Sequence, residues 1–176
     1  MIWSIIILNF IMTTEPVQLF DFNKNADVNQ WRIVDDVVMG GRSDGSFYIN
    51  DEGQGVFEGE ISLENNGGFS SVRYSMEQLS VVSQTAFEIR LRGDGKRYQF
   101  RVQPEASVRH SYIHYFQTSG EWQIIEIPFK EMYPSFRGRR LEMDNFPGKT
   151  MSEIAFLIGN KEAEKFQLEI DWIKIK

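Results

Sequence analysis

Apolar and polar residues alternate along much of the chain with a period of two, the pattern of β-strands that bury one face. In residues 55–63, GVFEGEISL, the apolar Phe57, Ile61 and Leu63 share one side and the acidic side chains take the other. No stretch of twelve or more residues shows a clean helical period. The chain is therefore predicted to be built from strands and turns.

Further strands are predicted at both ends of the chain and in its middle. Residues 153–159 are apolar on both faces, so we expect a central strand there. The other predicted strands are residues 17–22, residues 69–76 and residues 166–175, the last with Phe166, Leu168, Ile170 and Trp172 on one face.

Two hairpins are predicted from turn signals between alternating segments. In residues 86–103, the Asp94-Gly95 pair predicts a two-residue turn that places Leu91 opposite Tyr98. A second hairpin is expected where residues 111–118 and 121–129 flank Ser119-Gly120. Residues 130–150 are rich in Pro and Gly and predict a long loop. About ten short strands in one domain indicate an all-β sandwich or jelly roll.

The first twelve residues, MIWSIIILNFIM, are set apart by being apolar and without a basic residue. A signal peptide begins with a basic region, and a membrane-spanning helix needs about 20 apolar residues. We therefore predict an apolar extension over residues 1–12 and a single β-sandwich domain over residues 13–176. A weak membrane-associating segment is the alternative, and membrane contact is expected only through it.

Composition narrows the function classes. Apolar residues make up 41% and charged residues 25%, as in globular proteins, and the net charge of −6 argues against a nucleic-acid partner. There is no cysteine, which excludes disulfides and thiolate metal sites and favours a reducing compartment such as the cytoplasm.

No catalytic constellation is visible, and neither an enzyme activity nor a cofactor is predicted. His110 and His114 are too far apart for one metal ion if they lie on a strand, since four residues span about 13 Å. The sequence contains no G-x-S-x-G, Walker or G-x-G-x-x-G motif. Asp21 and Asp171, on the first and last strands, are a less favoured pair of calcium ligands.

Four segments couple tight Gly turns to polar or cationic residues: MGGRS (39–43), NNGGF (65–69), RGDGK (92–96) and FRGRR (136–140). They are either four ordinary corners or parts of one surface. In the second case Arg42, Arg73, Arg92 and Arg137 would gather beside exposed backbone N–H groups. Such a surface suits carboxylates or hydroxyl-rich ligands.

The order of these motifs resembles a known family. WRIVDDVVMGGRS, then GVFEGEISLENNGGFSSVR, then LRGDGK and FRGR are similar to the complex I intermediate-associated protein 30 family, over roughly residues 17–175. The resemblance implies a galactose-binding-like jelly roll, the fold of many carbohydrate-binding modules. It also implies a non-enzymatic, chaperone-like role in assembling NADH:ubiquinone oxidoreductase, with mitochondria as the alternative location.

Within the first of these motifs, two adjacent aspartates interrupt a good strand. Asp35 and Asp36 should point to opposite faces, with one facing solvent and the other accepting N–H bonds from the Gly40-Gly41 turn. We expect Val37 and Met39 to remain buried. Asp36, Arg42 and Ser43 are expected to set the turn and face whatever docks there.

Two binding hypotheses follow. The first is an assembly module that binds respiratory complex I subunits or intermediates. The second is a carbohydrate-binding module, in which Arg90, Gln99, Arg101 and Gln103 line a groove with a Tyr or Trp platform for a sugar ligand. The surface predicted for the first hypothesis consists of Asp35, Asp36, Arg42, Ser43, Asn66, Arg92, Asp94, Lys96 and Arg137.

Overall fold

Two antiparallel β-sheets face one another across an apolar core in the computed structural model, which describes residues 15–176. The six-stranded sheet has the order β3-β4-β13-β6-β9, with β1 also paired to β13. Its strands are β1 (Val17–Asp21), β3 (Asp44–Ile49), β4 (Gly55–Ile61), β6 (Ala86–Gly93), β9 (Gln123–Pro128) and β13 (Glu164–Ile175).

The seven-stranded sheet has the order β11-β10-β8-β7-β12-β5-β2. Its strands are β2 (Trp31–Asp35), β5 (Ser70–Ser80), β7 (Arg97–Gln103), β8 (Ser111–Gln117), β10 (Tyr133–Phe136), β11 (Arg139–Arg140) and β12 (Thr150–Ile158). Three single 3₁₀ turns complete the described elements: Asp36–Met39, Glu64–Asn66 and Phe129–Glu131. The all-β sandwich predicted from the sequence is confirmed.

The core is closed by side chains from both sheets. Phe87 of the six-stranded sheet and Phe100 of the seven-stranded sheet are both fully buried, and their ring centroids are 4.8 Å apart. Phe100 in turn contacts Phe156 at 5.2 Å. Aromatic pairs at such distances add to the stabilisation from apolar burial.

Both predicted hairpins are wrong. The two strands of residues 86–103 lie in different sheets, because β6 pairs with β13 and β9 while β7 pairs with β12 and β8. The strands around Ser119-Gly120 are divided in the same way. The alternation predicted for residues 86–103 is confirmed, since β6 and β7 both turn their apolar side to the core. That core lies between the sheets, so the two apolar sides meet across the sandwich instead of side by side.

The last two long strands occupy central positions. β12 lies between β7 and β5, as its two apolar faces predict, and residues 151–158 are all buried. β13 carries a register shift between Ile170 and Trp172. The expected alternation therefore fails after Ile170: Trp172 is only partly buried, and Ile173 takes the core position.

Residues 130–150 are more structured than the predicted loop. They contain β10 and the short β11, which form a small hairpin at the edge of the seven-stranded sheet. The side chain of Phe146 is buried, and its backbone N–H donates to the carbonyl of Met132 at 2.9 Å. Phe146 packs on Phe129 at 5.0 Å, which anchors the segment to the core.

The predicted N-terminal extension, residues 1–12, lies outside the described residues, and the domain boundary stays a prediction. Among residues 15–176, none of the helical turns has the length and apolar character needed to cross a membrane.

Candidate functional site

The turns that follow β2 and β4 meet at one end of the sandwich. Asp35, the last residue of β2, lies opposite Ser70, the first residue of β5. Ser70 also lies opposite Ile158, the last residue of β12. Residues 36–43, which follow β2, and residues 62–69, which precede β5, are therefore neighbours in space.

A single buried carboxylate ties these two turns together. Asp36 is fully buried, and its Oδ1 accepts the backbone N–H of Ser43 at 3.0 Å. Its Oδ2 accepts the Ser43 hydroxyl at 2.5 Å, the N–H of Gly68 at 2.5 Å and the N–H of Phe69 at 3.2 Å. We call Asp36, Ser43, Gly68 and Phe69 the Asp36 cluster. It joins the Asp-Asp-Val-Val-Met-Gly-Gly-Arg-Ser motif to the Asn-Asn-Gly-Gly-Phe motif.

The glycines of both motifs are required by the close approach of this carboxylate. A methyl group at Gly41 or at Gly67 would run into the side chain of Asp36. The two Gly-Gly pairs therefore make room for a buried acid. Gly41 and Gly67 lie in different turns, and both approach Asp36 only when the chain is folded.

Hydrogen bonding holds the Asp36 carboxylate ionised. Burial by itself raises the pKa of Asp36, but the bonds from Ser43, Gly68 and Phe69 stabilise the charged form and outweigh it. The net pKa of Asp36 is lower than its ordinary value of 3.8. The cluster therefore carries its full charge at neutral pH.

The roles expected for the residues around Asp36 need correction. Asp36 and Ser43 are buried and do not face a partner, and the N–H groups that Asp36 accepts are not those of the Gly40-Gly41 turn, which donate to backbone carbonyls. Val37 and Met39, expected to be buried, are 59% and 63% exposed. The reason is that the strand ends at Asp35 and a 3₁₀ turn follows, which breaks the alternation.

The turns that the Asp36 cluster joins present apolar side chains to solvent. Leu63, expected on the buried side of β4, is 45% exposed because that strand ends at Ile61. Arg42 forms an exposed ion pair with Glu64 at 2.8 Å, and the exposed Asn66 follows with a positive φ of 60°. We call the exposed set the end-loop patch: Val37, Met39, Arg42, Leu63 and Asn66. Asp35 lies beside it with a structural role, its Oδ2 accepting the N–H of Gly45 at 3.0 Å.

Asp94 and Lys96 belong to the crossover between the sheets at the same end. The carboxylate of Asp94 accepts the Tyr98 hydroxyl at 2.9 Å, the N–H of Gln167 at 3.1 Å and the Lys96 ammonium at 2.7 Å. The bonds from Tyr98 and Gln167 fasten this crossover to β7 and β13, and the bond from Lys96 closes the crossover on itself. Asp94 and Lys96 are bonded to other residues of the chain, so they stabilise the conformation of the crossover.

The arginines do not gather as one group. Arg92 lies on the outer face of the six-stranded sheet, paired with Glu169 at 2.6 Å and 5.1 Å from the ring of Trp122. Arg137 lies at the opposite end of the sandwich, because β10 runs antiparallel to β8 and ends beside its first residue, Ser111. Arg73 is on the outer face of the seven-stranded sheet.

The groove proposed for a sugar divides between the two sheets. Gln99, Arg101 and Gln103 project from β7 onto the outer face of the seven-stranded sheet, whereas Arg90 belongs to the other sheet and pairs with Asp171. Tyr115 supplies an aromatic ring beside Gln99, whose amide donates to its hydroxyl at 3.0 Å. Arg90 is therefore excluded from the groove.

One row of registered positions crosses this outer face and is rich in arginine. Arg73 lies opposite both Arg32 and Ala155, and Ala155 lies opposite Arg101. The row continues through Ile113 to Tyr133. We call the charged and aromatic residues on and beside this row the arginine face: Arg32, Arg73, Arg97, Arg101, Arg140, Tyr115, Tyr133 and Glu153.

Charges on the arginine face are unevenly balanced. Glu153 pairs with Arg32 at 2.7 Å and with Arg73 at 3.4 Å. Burial, with a further contribution from repulsion by Arg73, lowers the pKa of Arg101 to about 10. Within residues 15–176 no hydrogen bond or ion pair to the Arg101 guanidinium is found, and the Nε of Arg73 is buried without a partner.

Sequence reasoning missed most of this face. Arg32, Arg97, Arg140, Tyr115, Tyr133 and Glu153 were not selected as candidates. The available signal was the strict alternation in RYQFRVQ, which places Arg97, Gln99, Arg101 and Gln103 on one side of a strand. The prediction paired β7 with β6 in a hairpin. In the structure β7 lies between β12 and β8, so its polar side forms part of the arginine face.

Metal binding finds little support in the geometry. Asp171 is engaged by Arg90, and no group of three or more His, Cys, Asp or Glu that could hold a metal occurs in the described part of the chain. His114 lies 3.5 Å from the carboxylate of Glu131 on the edge of the sheet.

The family model and the curated relatives that match this sequence carry the same family name. The family model described as Complex I intermediate-associated protein 30 (CIA30) matches residues 20–170. The mitochondrial complex I intermediate-associated protein 30 of Drosophila melanogaster is 23% identical over 184 residues, covering 90% of this chain and 62% of that protein. The Mus musculus protein of the same name is 23% identical over 180 residues, covering 89% and 55%. The chain thus spans less than two thirds of the length of these relatives.

Solved structures share the fold. A family 11 carbohydrate-binding module from Clostridium thermocellum, in complex with a β-1,3-1,4-mixed-linked tetrasaccharide, matches with a TM-score of 0.65 and 16% identity, covering 91% of this chain and 94% of that one. An agarase matches with a TM-score of 0.63 and 12% identity, covering 93% of this chain and 25% of the agarase. At these identities the likeness shows the jelly-roll fold alone.

Proposed function

Because the chain belongs to the complex I intermediate-associated protein 30 family, we propose that it is a non-catalytic module that docks on subunits or intermediates of respiratory complex I. The observation that carries this proposal is the extent of the match, which runs from β1 into β13 and so includes both sheets and the Asp36 cluster. The names of the Drosophila melanogaster and Mus musculus relatives describe mitochondrial proteins of this type.

The geometry supports docking through the end-loop patch. Val37 and Met39 are large apolar side chains held in the open by a turn that a buried carboxylate fixes. Exposed apolar residues rimmed by polar ones are typical of protein contact sites. The cluster thus gives a reason for the Asp-Asp-Val-Val-Met-Gly-Gly motif: it fixes the shape of a contact surface without taking part in the contact.

The location that agrees with this proposal is the mitochondrion. The names of both relatives describe mitochondrial proteins, which agrees with the mitochondrial alternative and gives no support to the cytoplasmic location expected from the lack of cysteine. We propose no cofactor.

Affinity capture tests this function. The tagged chain is expressed in the cell that produces it, and co-purifying respiratory subunits are quantified by mass spectrometry. We expect complex I subunits with the unaltered chain and at least about a tenfold loss for the double variant Val37→Asp/Met39→Asp, since interface contacts of this kind are worth more than about 1 kcal/mol each.

The matched control is Val82→Asp. Val82 is an equally exposed apolar residue, 70% exposed, in the turn between β5 and β6 at the other end of the sandwich. It should retain the captured subunits. Equal capture by all three chains, or capture without any complex I subunit, would contradict docking through the end-loop patch.

Carbohydrate binding is a second candidate, favoured by the outer face of the seven-stranded sheet. There Gln99 and Tyr115 form a hydrogen-bonded polar and aromatic pair beside Arg101. Affinity electrophoresis in mixed-linked β-glucan tests it. Retardation of the chain that Tyr115→Ala abolishes would support this function, and unchanged mobility would remove it.

A further inference from the structure

The arginine face contains positive charge that the chain itself does not neutralise. Of its six charged residues, five are arginines and one is Glu153, and this carboxylate is already shared between Arg32 and Arg73. Arg101 lies two strands away from Arg73 in the same registered row, with the small Ala155 on the intervening β12. A shallow depression lies between the two arginines, and Glu153 and Ser111 also line it.

The polar atoms in this depression are short of partners. The Nε of Arg73 is buried without a hydrogen-bond partner, and the partly buried guanidinium of Arg101 has neither an ion pair nor a hydrogen bond to any residue from 15 to 176. Leaving a buried charged donor such as the Arg73 Nε unsatisfied is unfavourable, whereas the guanidinium atoms of Arg101 reach solvent and can accept a ligand's carboxylate as partner. A ligand that brings its own carboxylate would supply the missing acceptor in bidentate geometry.

Two further arginines are held flat at the margin of the depression. The guanidinium of Arg97 lies 4.5 Å from the ring centre of Tyr115, and that of Arg140 lies 4.7 Å from the ring centre of Tyr133. Stacking of this kind fixes the planar fork while leaving its edges free to donate. It also places a guanidinium over one face of each ring, where it competes with the stacking of a neutral sugar.

We propose that the arginine face binds an acidic polypeptide segment of a partner protein, with a Glu or Asp carboxylate seated between Arg73 and Arg101. This inference rests on the docking function proposed above and adds to it a second surface and the chemistry of its partner. Arg73 and Arg101 are two strands apart, a spacing of about 10 Å, so one carboxylate between these flexible side chains can reach both guanidinium groups.

The test uses the purified chain and a fluorescently labelled dodecapeptide of alternating Glu and Ser, followed by anisotropy at low salt. We expect saturable binding that Arg101→Gln weakens about tenfold to a hundredfold, the effect of losing a charge-assisted bond. Lys165→Gln removes one positive charge from an exposed position on β13 in the other sheet and should bind like the unaltered chain.

If thermal unfolding shows that Arg101→Gln is not folded, Arg140→Gln replaces it in the binding experiment. Arg140→Gln alters an exposed residue and should weaken binding about threefold, because exposed charge pairs contribute less. Arg101→Lys, which keeps the charge and loses the fork, is expected to fall between the unaltered chain and Arg101→Gln.

Three results overturn the proposal. Equal binding of a dodecapeptide of alternating Gln and Ser would show that carboxylates are not recognised. Unchanged affinity in the folded arginine variants would place the peptide elsewhere. Binding of oligogalacturonate without binding of the acidic peptide would make the face a glycan site. None of these results bears on the capture experiment with Val37 and Met39, which probes the end-loop patch.

Discussion

At the scale of single residues, Asp36 explains the most conspicuous irregularity of the sequence. A charged side chain in the middle of an apolar run ends a strand and enters the interior, where Ser43, Gly68 and Phe69 satisfy it. That an aspartate would accept backbone N–H groups could be predicted from its chemistry. Which groups it accepts could not, because two of them belong to a turn 32 and 33 residues further along the chain.

Replacing Asp36 with Asn should change how stability depends on pH. The pKa of Asp36 is lowered in the folded state, so its charged form adds stability that is fully present above about 3.8 and is lost as the pH falls through the folded value. Asp36→Asn should reduce this loss on acidification. Urea unfolding followed between pH 2 and 7 measures it, and parallel curves for both chains would contradict it.

Truncating the same side chain should cost much more at neutral pH. Asp36→Ala leaves four donors without their acceptor, and we expect a loss of about 2–4 kcal/mol in the free energy of unfolding. Asp51→Ala is the control, because Asp51 is an exposed aspartate in a turn at the opposite end of the sandwich. Its effect should stay within about 0.5 kcal/mol.

The glycine beside the carboxylate can be tested separately. Gly41→Ala should destabilise the chain by about 2–3 kcal/mol, because the added methyl group meets Asp36 in a packed interior. Gly120→Ala is the comparison: its φ is +85° and nothing lies within 4 Å of the new methyl group, so only backbone strain of about 1 kcal/mol is expected. Equal losses in thermal unfolding would mean that contact with Asp36 is not the cause.

At the scale of elements, the sequence predicted strands well and their partners poorly. β6 and β7 alternate as expected, yet the turn at Asp94 carries the chain from one sheet to the other. An Asp-Gly turn fixes a local reversal of the chain, and a sandwich can use that reversal to cross its own core. The outcome, a hairpin within one sheet or a crossover between sheets, depends on which strands pair with β6 and β7. Here β13 pairs with β6 and β12 pairs with β7, so β6 and β7 cannot pair with each other.

The crossover itself should be a stabilising element. Asp94→Ala removes the acceptor for Tyr98, Gln167 and Lys96, and we expect a loss of about 1–2 kcal/mol. Tyr98→Phe keeps the ring and removes one hydroxyl donor, which the carboxylate of Asp94 and the carbonyl of Gln167 share, and it should cost about 1 kcal/mol. Chemical denaturation compares them. A larger loss for Tyr98→Phe than for Asp94→Ala would show that the carboxylate does not anchor the turn.

At the scale of the whole molecule, net charge proved a poor guide to local charge. The chain carries −6 overall, and its six-stranded sheet pairs its outer charges, as Arg92 does with Glu169. The seven-stranded sheet instead concentrates arginines that are separated along the sequence. Family and fold class could be predicted from motif order and strand count. The arginine face could not, because it depends on which strands are neighbours, and of the end-loop patch only Arg42 and Asn66 were predicted from the sequence.

This separation of charge predicts a marked salt effect. Binding of the acidic peptide to the arginine face should weaken several-fold between about 0.05 and 0.5 M salt, since screening acts over about 10 Å at 0.1 M. Capture through the apolar end-loop patch should change much less. Repeating both measurements over this range tests the distinction, and an identical salt dependence would indicate one shared surface.

The positions of β12 and β13 have a consequence for how the chain folds as it is made. Each lies in the interior of its sheet, with β12 between β7 and β5 and β13 between β4 and β6. They also follow all the other described strands along the chain, so during synthesis neither sheet has its central strand until these residues leave the ribosome. Until then the nascent polypeptide carries unpaired inner edges and open apolar faces. Such a chain depends on holdase chaperones during translation more than one whose central strands emerge first.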